Sequence, residues 1–125
     1  MLYAVKSIHH YLGDGHGKPM LYDNIKDASQ AAKDYAEGIR FVMSDYNNKP
    51  YELDITTECF GGDPDLKVPR IIINKLDNLG RKCSMDQVTV VNGQTALRDI
   101  KNYEDIQCQA QRAIEKLNKF VAEHK

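Results

Sequence analysis

The sequence predicts an α+β protein: a small antiparallel sheet of about four to six strands, two or three helices laid on one face, and a long amphipathic helix at the C-terminus. Three patterns predict it. Apolar residues recur at helical spacing over 25–39. They recur again over 103–124, in an unbroken three-four repeat. Between them, residues 51–59 alternate apolar and polar with the period of a half-buried strand. The 125 residues, 42% of them hydrophobic and 28% charged, suit a single domain spanning 1–125.

Residues 2–9 read as a first strand. Gly13-Asp14-Gly15-His16-Gly17-Lys18-Pro19 reads as a loop, and Met20-Leu21-Tyr22 as a short returning strand. Asn24 then caps a helix, with Asp27 at its third position in a variant of the capping box. Ile25, Ala28, Ala32, Tyr35 and Ile39 form its apolar stripe, and the alanines invite a close neighbour. Gly38 is placed to end this helix in the left-handed conformation.

Residues 39–46 and 51–59 then read as an antiparallel hairpin. Pairing Asp45 with Leu53, Met43 with Ile55 and Phe41 with Thr57 gathers the apolar residues on one face and sets Arg40 opposite Glu58. Tyr46–Pro50 is its turn, and Cys59–Asp65 a loop. The segment 69–79 reads as helix: Pro69 stands at its start, Gly80 just past its end, and Ile72, Ile73, Leu76 and Leu79 have helical spacing. The β-branched run Ile71-Ile72-Ile73 also suits a buried strand. Residues 87–91 are a strand, and Asn92-Gly93 predicts a hairpin to 94–98. Asn102 is read as the cap of the last helix. Its stripe is Tyr103, Ile106, Ala110, Ala113, Leu117, Phe120 and His124, widened by Ile114 and Val121.

Composition narrows the function classes. Seventeen basic residues against eighteen acidic ones give a net charge of −1, which argues against a generic nucleic-acid coat. No apolar run approaches the length of a membrane span, and the first residues lack the plan of a signal peptide. Three widely spaced cysteines, Cys59, Cys83 and Cys108, point to a reducing, cytoplasmic setting. The charge is uneven. Residues 23–65 hold ten acids and four bases, and residues 66–85 hold five bases and one acid.

Each chemistry-bearing cluster has a bland reading beside a sharp one. His9, His10 and His16 with Asp14 have metal-ligand chemistry, but neighbouring strand residues face opposite ways, so no metal site is expected. The glycine-bearing loop 13–18 lacks the spacing of a phosphate-binding loop and precedes no helix. Glu52, Asp54 and Glu58 form an acidic row that reads as a solvated strand face. No cysteine has a nucleophile motif; Cys59 falls on the buried side of the expected hairpin, and Cys108 opposite the apolar stripe. No catalytic residue and no cofactor is expected. The basic cluster Arg70, Lys75, Arg81 and Lys82 is the candidate ligand site, because guanidinium and ammonium groups suit phosphates and carboxylates.

These readings lead to a non-enzymatic cytosolic binding module. It works as a homo-oligomer, with Ile106, Ala110, Ala113, Leu117 and Phe120 as the interface and a small anionic, nucleotide-like ligand on the basic cluster. A protein inhibitor or adaptor acting through the acidic surface is the alternative, and a small Cys/His enzyme the third. The expected partners are thus a second copy and either a small anion or a protein target, with no membrane. In size and style the chain resembles small accessory proteins of phages and mobile elements, many of them inhibitors or ligand traps. That likeness rests on no residue motif and transfers no site.

Overall fold

The computed structural model describes residues 1–8, 10–13 and 18–123, and over 103–109 the backbone alone. Six elements follow in order: β1 (Tyr3–Lys6), α1 (Ile25–Asn47), β2 (Tyr51–Phe60), β3 (Asp63–Leu76), β4 (Lys82–Asn92) and α2 (Gly93–Glu123). The strands form one antiparallel sheet in the order β1-β4-β3-β2, so the α+β class holds, with a C-terminal helix as the last element.

α1 starts as its sequence dictates. The Asn24 side chain accepts the Asp27 N–H at 2.8 Å and its amide donates to the Asp27 carboxylate at 2.7 Å. Ala28, Ala32 and Ala36 are fully buried, and α1 touches all four strands. Small side chains let the helix lie close on Tyr3, Val5, Ile71, Ile73, Val88 and Val90.

The helix does not stop at Gly38. It runs on through the segment expected to be a strand and ends at Asn48, whose φ of 51° closes the last turn with an N–H bond to the Ser44 carbonyl. The reason is the stripe. Ile39 and Met43 continue it at four-residue spacing and pack against the core. That burial outweighs the roughly 1 kcal/mol a mid-helix glycine costs. The expected pairing of Asp45, Met43 and Phe41 with β2 therefore does not form, and Arg40 pairs with Glu37 one turn away instead of Glu58.

The partner of β2 is β3. Leu53 faces Ile73, Ile55 faces Ile71 and Glu58 faces Val68. The connection shrinks to Gly61-Gly62, with φ of 63° and 80°, a pair of left-handed residues that suits a tight hairpin. β3 overturns the helix expected over 69–79. It pairs on both edges, and Ile71 and Ile73 are fully buried, as a β-branched run in a central strand requires. Pro69 falls just before the first β3–β4 pair, Arg70 with Thr89, so its missing N–H costs that ladder nothing. Gly80 ends no helix. It belongs to the β3–β4 turn, where the Asp77 carboxylate accepts the N–H groups of Leu79 and Arg81.

β4 also departs from expectation at its end. Val88 faces Ile71 and Val90 faces Val5, not residues 94–98. Asn92-Gly93 makes no hairpin. The Asn92 side chain accepts the Gln94 N–H at 2.8 Å, and α2 begins there, nine residues before Asn102. Gly93 donates to the Leu2 carbonyl at 2.8 Å. The returning segment near Met20 is held by an isolated bridge, in which Tyr3 and Tyr22 exchange two 2.8 Å backbone bonds.

Candidate functional site

α2 is 31 residues long, about 46 Å at the rise of an α-helix. Only its first turns belong to the body, where it reaches β1 and β4. Ala96 is fully buried, and Asp99 accepts a 2.7 Å bond from the Tyr11 hydroxyl. The Lys6 ammonium lies 5.3 Å from the centre of the same ring. Burial, reinforced by the hydrogen bond to the Asp99 carboxylate, holds the Tyr11 phenol protonated well above the ordinary tyrosine range.

From Ala110 to Glu123 every side chain is exposed, including the stripe: Ile114 at 53%, Leu117 at 61%, Phe120 at 58% and Val121 at 50%. Four large apolar side chains half or more exposed along one side of a helix are unusual for a finished surface. Of the residues expected at an interface, Ala110, Ala113, Leu117 and Phe120 lie on this segment. The side chains of Ile106, Tyr103 and Cys108 lie outside the described ones, as do His124 and Lys125.

The four bases expected to share a ligand occupy different surroundings. Arg70 is an exposed sheet residue whose guanidinium approaches Gln87 at 3.4 Å. Arg81 holds Asp77 at 2.7 Å in the β3–β4 turn. The N–H and guanidinium donors of Arg81 pull the Asp77 carboxyl below its ordinary range. Lys82 is bonded to Asp54 at 2.8 Å and lies 3.7 Å from Glu52, across the sheet. That contact lowers the Asp54 pKa and raises the Lys82 pKa. Arg70 is also five residues, about 17 Å of strand, from Lys75.

Lys75 differs from the other three. Among the described residues it has no ion pair, and it lines an open cleft of about 350 Å³ with Lys49, Asp77, Asn78, Cys83 and Met85. Lys49, likewise without an ion pair among the described residues, comes from the α1–β2 connection. That connection is tied to the end of β3 by a 3.0 Å bond from the Leu76 N–H to the Pro50 carbonyl. Nothing in the local sequence marks Lys49 as a neighbour of Lys75; the β2–β3 register, Tyr51 opposite Lys75, brings them together. Asp77 is the one acid in the lining, and Arg81 and two backbone N–H groups already engage it.

The acidic row divides. Asp54 accepts from Lys82 and from the Asn74 amide at 2.8 Å, while Glu58 is exposed toward the β2–β3 tip. Cys59 is exposed, not buried: its cross-strand neighbour is the exposed Lys67 of β3, not a core residue, and Ile55 on the same strand is exposed too. Cys83 is an exposed free thiol. His9, His16 and Asp14 lie outside the described residues. The backbone of His10 exchanges bonds with Ser7. Among the described residues no group of His, Cys, Asp or Glu is arranged to hold a metal ion, and no helix is long and apolar enough to cross a membrane.

The fold and these surfaces define a class: an α+β body that carries a projecting helix with an exposed apolar stripe. No protein-family model, no curated protein and no solved structure matches the chain.

Proposed function

We propose that the protein is a non-enzymatic binding module that works as a homo-oligomer and holds a small anionic, nucleotide-like ligand. The exposed stripe of α2 carries this reading. Leu117, Phe120, Ile114 and Val121 repeat at coiled-coil spacing and are each half or more exposed. Burying such a stripe against another copy removes it from water at about 25 cal/mol per Å². The ligand site is the cleft at Lys49 and Lys75. Two ammonium groups there have no ion pair among the described residues, Asn78 adds an amide, and Met85 gives an apolar wall. Phosphate oxygens suit the ammonium groups and a planar base suits the wall. The compartment that fits this role is the reducing cytoplasm.

Native mass spectrometry of gently purified protein tests both halves. The expected result is an even-numbered oligomer that retains a small extra mass. Lys49→Glu with Lys75→Glu should remove the mass and leave the subunit number unchanged. A bare monomer overturns the reading. It would favour the second one, a protein inhibitor or adaptor. That alternative draws support from the exposed acids Glu58, Asp63 and Asp65 at the β2–β3 tip, which suit a basic partner surface.

A further inference from the structure

We propose that Cys83 is a thiol–disulfide exchange site for anionic low-molecular-weight disulfides, those of small peptides with free carboxylates, which the Lys49–Lys75 cleft gathers beside its sulfur. The proposal rests on the reading of that cleft as an anion site and adds the chemistry of its wall.

The β3–β4 register places the thiol. Asp77 donates its N–H to the Arg81 carbonyl at 3.0 Å. Two residues along each strand, Lys75 and Cys83 are the next directly opposed pair of the same kind. Such partners stand on one face of the sheet, with Cβ atoms about 5 Å apart. Lys49 enters the cleft from the α1–β2 connection, so one exposed free thiol shares a cleft with two ammonium groups. Neither ammonium group has an ion pair among the described residues, and the one acid of the lining, Asp77, is held by Arg81. Asn78 adds an amide that suits a carboxylate or a peptide carbonyl. The cleft, about 350 Å³, lies at the lower end of small-molecule sites.

The step is an exchange. The Cys83 thiolate sulfur attacks one sulfur of the disulfide. A new S–S bond forms to Cys83 and the old one breaks. The other half leaves with the bonding pair and takes a proton from water, which balances the proton Cys83 gave up. Cys83 is oxidised, the departing half is reduced, and the disulfide is the oxidant. The lysines select by charge. A carboxylate about 7 Å from one ammonium group gains about threefold in local concentration in water, and from two about sevenfold. Salt diminishes both.

Cys59 is the comparison within the molecule. It too is an exposed free thiol opposite a lysine, Lys67 of β3, but it does not line the Lys49–Lys75 cleft.

Two single-thiol proteins test the proposal, one keeping Cys83 and one keeping Cys59, with the other cysteines replaced by serine. Each is treated with glutathione disulfide, which is anionic, and with 2-hydroxyethyl disulfide, which is neutral. Intact mass follows the mixed disulfide. The ratio of the two rates removes the intrinsic reactivity of each thiol. At Cys83 that ratio should exceed the Cys59 ratio by at least about threefold. It should fall by a similar factor in about 1 M salt, which needs no substitution, and in Lys49→Gln with Lys75→Gln. Equal ratios at the two cysteines overturn the proposal, and so does a Cys83 ratio unmoved by salt and by the lysine changes. The ligand reading fails separately. Charge-selected exchange at Cys83, with no mass retained in native mass spectrometry, would uphold the exchange site and remove the nucleotide-like ligand.

Discussion

A Cβ built on Gly93 falls 2.9 Å from the Leu2 Cβ and 3.0 Å from the Leu2 carbonyl oxygen. The backbone at Gly93 is not left-handed, so space and not dihedral strain excludes a side chain there. Gly93→Ala should destabilise the protein by about 1–3 kcal/mol, the usual cost of overpacking. A urea midpoint equal to wild type would show that Leu2 yields freely. Tyr11 makes a second residue-scale prediction. Burial and the Asp99 hydrogen bond raise its pKa in the folded state, whereas the unfolded chain has an ordinary value near 10. The folded protein therefore binds this proton more tightly. Its contribution is fully present below about pH 10 and is lost as pH climbs toward the folded value. Urea midpoints of Tyr11→Phe between about pH 9 and 11 should fall less steeply than those of wild type. Parallel curves would mean that another group governs the alkaline limb.

Gly38 is where the reading of α1 from sequence and its structure part, and it supplies a test at the scale of the element. In the structure it is interior to the helix, and an added Cβ meets nothing within 4 Å. Gly38→Ala should then stabilise the protein by about 0.5–1 kcal/mol, because alanine loses less backbone freedom in a helix. Had the helix ended there in the left-handed conformation, the same change would destabilise; thermal unfolding decides the sign. The elements differ in how much of them local sequence reveals. The start of α1 is legible because Asn24 and Asp27 bond to each other within one turn. β2 is legible from its alternation, yet its partner is not, since Leu53 and Ile55 fit any apolar row in register. β3 was obscured because Ile72, Ile73, Leu76 and Leu79 share helical spacing by coincidence. In the structure Ile73 is core, whereas Leu79 lies exposed in a turn.

At the scale of the whole molecule, the described core lies in the body and not in the outer part of α2. The described side chains beyond residue 109 are exposed, so changing them removes no core contact. Leu117→Glu with Phe120→Glu should reduce the sedimentation mass to that of one chain. The unfolding free energy of the body should stay within about 0.5 kcal/mol of the monomeric reference, as for surface substitutions generally. Unfolding of the body by this pair of changes would show that α2 folds back onto the sheet. The stripe itself was readable because a three-four repeat is a local property of one helix. The cleft was not. Lys49 and Lys75 are 26 positions apart in the chain and meet through the β2–β3 register. The basic residues nearer in sequence, Arg81 and Lys82, are drawn away by Asp77 and Asp54.

The sequence by itself determined the α+β class, the capped start of α1, the strand character of 51–59 and 87–91, and the amphipathic C-terminal helix. Each of these is written in spacing or capping within a few turns of chain. Tertiary structure alone decided that 39–47 stays helical, that 69–76 joins one of the two inner strands, that α2 starts at Gly93, and which bases remain without an acid among the described residues. Those outcomes depend on burial and pairing between distant segments. The free energy of covering Ile39 and Met43, or of pairing β3 on both edges, exceeds the local preferences of a glycine, a proline or an Asn-Gly pair.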